Sequence, residues 1–286
     1  MGSNSATPRA LPPYVHSYVN AGPVRLHYAE IPANERPAIL IHGIGMDWRV
    51  WQAISRRLHP HFRLFLLDLR GHGESSKPPS GYSLAHYAAD VEDMIDTLAL
   101  DDVALIGSSL GGMVALSVEA PIDIVGCRIL VDPPITGGPV RDSSQLREIL
   151  RLKHESTAAV ASYLAGINPG AGRHLLRTMS EMWHNASDAV ITELLEHERD
   201  YFAVDAALRA DSSPTLLMRA DPALGAALSA EESARALRLL PHGAAVTVSD
   251  AGHAIHAYRP REFTQLVVEF AATGRVDRAS DVRHDR

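Results

Sequence analysis

The stretch VALIGSSLGG, Val103 to Gly112, decides how the fold is read. Val103–Gly107 is an unbroken apolar run, as expected for a strand buried on both faces, and Leu110–Glu119 continues as an apolar helical run. Between them Gly107-Ser108-Ser109-Leu110-Gly111 matches G-x-S-x-G, with Gly112 following. Small residues at both flanks let the backbone turn sharply from strand to helix and lift the central hydroxyl above the sheet. On this register the presented serine is Ser109; for Ser108 the first glycine position would hold Ile106. Ten residues alone also fit a capped helix start with close-packed glycines.

Outward from this turn, short apolar runs alternate with amphipathic stretches, the sequence form of βαβ units around a parallel sheet. Residues 14–19 and 23–29 alternate as an antiparallel hairpin, and PAILI (37–41) and FRLFLLD (62–68) are buried strands. CRILV (127–131), TLLMR (215–219) and AAVTV (244–248) bring the count to eight. Helices are expected over 48–58, over 84–98 with Ser83 as N-cap, over 229–240 from a Ser229/Glu232 capping box, and over 261–272. Residues 134–209 break the alternation. They are nearly all helix-forming, with breaks at Asn168-Pro169-Gly170 and Asn185, and they sit between two sheet strands. The expectation is an α/β fold whose mostly parallel eight-stranded sheet is flanked by helices. The core spans residues 1–133 and 210–273, a helical lid over 134–209 enters after strand 6, and a charged flexible tail covers 274–286.

Three further motifs lie where strands end. His42-Gly43-Ile44-Gly45 follows PAILI, and its Ile44 N–H, together with the Leu110 N–H beside the serine, can form a pair of donors for a developing oxyanion. A dinucleotide loop would need a third glycine where Trp48 stands. DLRGHGES (68–75) is a dense polar turn whose side chains read as ties between neighbouring loops, with His72 a weak candidate for catalysis. Gly252-His253 follows AAVTV. A histidine there can fold over the sheet edge towards Ser109, and the small pair Ala251-Gly252 favours His253 over His256 as general base.

HGIG, DLRGHGES, GSSLGG and AGH, in this order and at these separations, resemble the α/β-hydrolase superfamily over roughly Val24 to Ala272, the lid excepted. The resemblance implies a serine hydrolase with Ser109 as nucleophile, His253 as base and Ile44 and Leu110 as the oxyanion hole. The acid departs from the common pattern. It usually follows the strand read here as TLLMR, but Ala223 stands at that approximate place and Asp221 lies early, beside Pro222. Asp132, directly after CRILV, is preferred, in similarity to zearalenone-type lactone hydrolases that carry the acid at the earlier strand end.

Composition narrows the function. With Lys+Arg 27 against Asp+Glu 34 the chain is mildly acidic, so neither nucleic acid nor a membrane surface is expected as partner. One cysteine, Cys127, excludes an internal disulfide, and the 15 histidines offer no H-E-x-x-H spacing, so neither a catalytic metal nor any other cofactor is expected. Met1–Pro13 does not read as a signal peptide and no apolar run has bilayer-spanning length, which makes a cytoplasmic protein the expectation. A homodimer is left open. The segment rich in Leu, Ala and Met offers Tyr163, Met179, Met182 and Trp183 to line a pocket, pointing to a small apolar ester or lactone. C–C bond hydrolysis, perhydrolysis and a hydrolase-like ligand receptor use the same framework.

Overall fold

The computed structural model describes residues 12–135, 143–167, 172–197 and 204–276. Eight strands form one sheet: β1 (Val15–Ala21), β2 (Val24–Ile31), β3 (Pro37–Ile41), β4 (Arg63–Leu67), β5 (Ala104–Ser108), β6 (Cys127–Val131), β7 (Thr215–Arg219) and β8 (Gly243–Thr247). Their order across the sheet is β1-β2-β4-β3-β5-β6-β7-β8. β1 with β2 and β2 with β4 are antiparallel, and every other neighbour is parallel.

Alternation along the strands builds two layers of core. In β3, Ile39 and Ile41 face α2 (Leu84–Thr97) and α3 (Leu110–Ser117), where Tyr87, Val91, Met94, Met113 and Val114 are buried with them. Ala38 and Leu40 face the opposite way, against α1 (Gln52–Leu58) and the final helix Pro260–Thr273, whose Ile54, Leu58, Phe263, Val267 and Phe270 are buried. A period of two in one strand thus serves helices on both faces. Ser83 caps α2 by accepting from the His86 N–H, and the Ser229/Glu232 capping box is formed at the start of the helix Ala230–Leu239.

Among the described residues, five helices lie between β6 and β7: α4 (Ser144–Lys153), α5 (Thr157–Ile167), α6 (Arg173–Asn185), α7 (Asp188–Glu196) and α8 (Asp205–Ala210). After β7 come α9 (Ala230–Leu239), α10 (Ile255–Tyr258) and α11 (Pro260–Thr273). Asn185 closes α6 as expected, whereas the break at 168–170 and the tail beyond Val276 lie outside the described residues. α4–α7 share a small core of Ile149, Leu152, Val160, Leu164, Trp183 and Ile191, against which Ile44 and Met46 of the loop after β3 also pack. Polar ties dock the same helices on the loop after β4. Ser187 N–H donates to Gly71 O at 2.7 Å, Asn185 Nδ2 to Gly73 O at 2.9 Å, and Glu193 accepts from the N–H groups of Gly81 and Tyr82. The inserted helices therefore rest on the loops leaving the C-terminal ends of β3 and β4, the edge where open α/β sheets form their crevices. No described helix is long and apolar enough to cross a membrane.

Candidate active site

Ser109 stands between β5 and α3 with φ 55° and ψ −118°, a backbone conformation that side chains rarely adopt. Packing around it explains how the turn persists. A Cβ on Gly107 would lie 2.0 Å from Gly111 O, and one on Gly111 would lie 2.1 Å from Ile41 O, so α3 rides directly on the strand backbones. Ser109 N–H donates to Val131 O at 2.9 Å, which locks the serine to the end of β6. As the residue before α3, Ser109 leaves the Leu110 N–H as the first of the helix, without an intrahelical acceptor.

Asp132 follows Val131 directly and is wholly buried, also at positive φ (45°). Its carboxylate accepts from three backbone N–H groups: Ala220 at 3.2 Å, Ala227 at 2.7 Å and Leu228 at 3.2 Å. The remaining partner is His253 Nδ1, 2.7 Å from Asp132 Oδ2. With Nδ1–H donated to the carboxylate, the Nε2 lone pair of His253 is free to face outward. Asp221 does something else. It accepts from Ala223 N–H and Asp250 N–H, both at 2.9 Å, and so shapes the turn at 222–224. Those backbone donors hold its carboxyl below the usual carboxylate range. Neither side-chain bond of Asp221 reaches His253.

His256 lies in the core against Trp51, ring centroids 4.5 Å apart, and burial, then the charge of His253, pushes its pKa down to about 4. Its Nδ1 has no hydrogen-bond partner among the described residues. His72 is also fully buried. Its Nδ1–H donates to Arg70 O at 2.9 Å, and its Nε2 accepts the Gly45 N–H at 3.0 Å. Burial chiefly, then the neighbouring His42, pushes its pKa to about 3, so it stays a neutral acceptor that anchors the HGIG loop. The rest of the 68–75 turn behaves as the tie its polarity suggests: Asp68 accepts from Trp48 N–H at 2.8 Å and Glu74 N–H at 3.0 Å, and pairs with His27 at 2.7 Å.

The HGIG loop passes close to the serine. A Cβ on Gly43 would stand 3.3 Å from Ser109 Cβ. Gly45 holds φ +71°, and a Cβ there would sit 2.1 Å from Trp183 Cε3, so the indole lies flat against the loop backbone. Sequence reasoning nominated Trp183 without finding this contact. Of the other side chains nominated from the insert, Met182 is buried, while Tyr163 and Met179 are half-buried against the small core that contains Trp183. An open groove of about 1010 Å³ between α1 and α11, lined by Arg56, Arg57 and Arg261 among others, shares no residue with this site.

The family model for the alpha/beta hydrolase family matches residues 38–266, which includes every motif described above. The chain belongs to the α/β-hydrolase family. Along its length this α/β hydrolase is similar to the 2-(acetamidomethylene)succinate hydrolase of Mesorhizobium japonicum, with 27% identity over 270 residues, 90% of this chain and 95% of the relative. A crystal structure of E-2-(acetamidomethylene)succinate hydrolase superposes with a TM-score of 0.76 at 26% identity, covering 91% of this chain and all of the other. An uncharacterized protein of Mycobacterium tuberculosis is 42% identical over only 85 residues, and the chain spans 25% of its length. Both this family and the Mesorhizobium relative, which the match spans over most of its length, are named as hydrolases.

Proposed function

We propose that this α/β hydrolase is a serine hydrolase that cleaves a carboxylic ester or lactone of a small, apolar substrate. The observation that carries the reading is the 2.7 Å contact of His253 Nδ1 with Asp132, at the same sheet edge as the strained Ser109 turn. In the proposed reaction Ser109 Oγ adds to the substrate carbonyl as its proton passes to His253 Nε2. The Asp132 carboxylate holds the ring in the tautomer that can accept it. The carbonyl oxygen becomes an oxyanion and accepts from the N–H groups of Ile44 and Leu110. Collapse expels the alkoxide, which takes the proton from His253, and leaves an acyl-serine. Water then adds to the acyl carbon, gives its proton to His253, and releases the acid and the free serine.

Substrate class is argued from charge. Trp183, Met179 and Tyr163 pack with Ile44 and Met46 of the loop after β3, and Met182 is buried; this apolar packing supports the reading of residues 134–209 as a lid. The buried cation of the insert, Lys153, is already engaged, with Nζ 2.6 Å from both Ala186 O and Asp188 Oδ1. Arg49, at the edge of the HGIG loop, is paired with Asp47. With these cations already paired among the described residues, a neutral acyl group fits such surroundings better than an anionic one, whose desolvation needs a free positive partner. The full-length relative is named for a succinate derivative, so amide hydrolysis of an acidic substrate is the second reading.

A fluorophosphonate probe should label the wild-type protein and not Ser109→Ala, and the variant should lose nitrophenyl-ester turnover by about 10³-fold or more. Full turnover by Ser109→Ala would overturn the mechanism. A higher kcat/KM for 2-(acetamidomethylene)succinate than for short esters and lactones would overturn the substrate class while leaving the mechanism standing.

A further inference from the structure

Away from the serine, β1 and β2 bring together side chains that no linear spacing connects. Tyr18 faces His27 across the antiparallel pair, and His16, two residues earlier, falls on the same face of the hairpin. His16 Nδ1 and His27 Nε2 point at each other across 2.9 Å. Glu74, from the turn after β4, completes a trio whose ligand atoms all lie within 4.8 Å of one another. His27 is fully buried, while His16 and Glu74 are exposed.

We propose that His16, His27 and Glu74 form a binding site for a divalent transition-metal ion of the zinc, cobalt or nickel class, with water completing the shell. Two imidazole nitrogens and one carboxylate oxygen are a donor set for these borderline ions and not for magnesium or calcium, which prefer oxygen alone. The buried histidine carries the preorganisation. Its Nδ1–H is donated to Asp68 Oδ2 at 2.7 Å, which fixes the ring and leaves Nε2 as a lone pair directed at His16. A carboxylate behind a ligating histidine orients the ring and raises its basicity. Asp68 is itself held by the Trp48 and Glu74 N–H groups, so the support is rigid.

The His16–His27 contact is a proton-mediated version of the same arrangement. Since His27 Nε2 must accept, His16 donates Nδ1–H to it. Metal entry requires that this proton leave His16 Nδ1, for example by moving to Nε2 of the same ring, so that Nδ1 can ligate. Ligand nitrogens around a tetrahedral ion at about 2.0–2.1 Å stand roughly 3.3 Å apart. The 2.9 Å gap therefore opens by a few tenths of an ångström, which the exposed His16 ring can supply. Glu74 now accepts from Tyr18 OH at 2.9 Å through Oε2 and swings a short way on an exposed side chain to ligate. The ion would tie the hairpin to the 68–75 turn, in a structural role.

The test is titration of the untagged full-length protein with Zn²⁺ by calorimetry, and with Co²⁺ by visible absorption, for wild type, His16→Ala and Glu74→Gln. His16 is exposed, so its variant is expected to fold, and unchanged nitrophenyl-ester turnover serves as the check. The expected result is one tight equivalent per chain in the wild type. That equivalent is lost in His16→Ala and weakened about tenfold or more in Glu74→Gln, with a Co²⁺ spectrum that His16→Ala abolishes. Absence of a tight equivalent in the wild type, or equal stoichiometry and affinity in wild type and His16→Ala, overturns the proposal.

Discussion

Ser109 and Asp132 both occupy positive φ, at 55° and 45°, on the ends of neighbouring parallel strands. Such conformations cost of order 1–3 kcal/mol each and persist only where the surroundings over-determine them. Here glycine contacts fix the first and three N–H donors fix the second. An amide at 132 would turn one NH₂ towards those donors or towards His253 Nδ1–H, setting donor against donor. Asp132→Asn should therefore lower kcat for ester hydrolysis by about 10³–10⁴-fold with a small change in KM. Asp221→Asn should stay near wild type, because its carboxylate serves a surface turn. Steady-state kinetics on the two variants decide the matter, and the reverse ranking would remove Asp132 from the triad. At this scale the strand-to-helix turn at Ser109 was legible from local pattern, and His253 was nominated from a histidine after a small pair. Local pattern offered both Asp132 and Asp221, since each follows a strand and precedes a proline, and Asp132 was preferred on the family resemblance. The distinction is which strand end the imidazole approaches, and that is a property of the sheet.

At the scale of elements, the contact between Gly45 and Trp183 joins the HGIG loop to α6, and with it the proposed oxyanion donor to the proposed lid. Alanine at 45 would meet both an unfavourable φ of +71° and the indole at 2.1 Å. Gly45→Ala is expected to lower kcat/KM for esters by about 10-fold or more and to destabilise the fold by about 1–3 kcal/mol. Adding Trp183→Ala should return part of both losses, because the clash is with that ring. Non-additivity in this double-mutant cycle, read by ester kinetics and urea midpoints, is the measurement, and purely additive effects would mean the loop and helix are not coupled. Strand positions, the Ser83 cap and the Ser229/Glu232 box were readable in advance because each depends on neighbours a few residues away. The docking of α6 and α7 on the loops after β3 and β4 was not, because Ser187 with Gly71 and Glu193 with Tyr82 are pairs over a hundred residues apart.

For the whole molecule, buried histidines predict acid sensitivity. His72 and His256 are pushed to about 3 and about 4 by burial first, and His42 is lowered by the same cause. In the unfolded chain each takes up a proton near pH 6.5. Between about pH 6.5 and 4 the unfolded state thus binds more protons than the folded one, so stability falls as pH falls, by up to about 2 kcal/mol per histidine at pH 5. His256→Phe keeps an aromatic ring against Trp51 and removes one titrating group. Its Tm should drop less than wild type between pH 7 and pH 5, and an equal drop would show that His256 does not contribute. The sequence by itself determined the eight-strand alternation, the serine turn, the late histidine and the place of the inserted helices, because periodicity and tight turns are set by residues adjacent in the chain. Only the tertiary structure decided that His253 meets Asp132, that Trp183 covers Gly45, and that two histidines and a glutamate converge on one face of the first hairpin. Each of these depends on the strand order and on where loops from separate strands cross, which short-range physics does not encode.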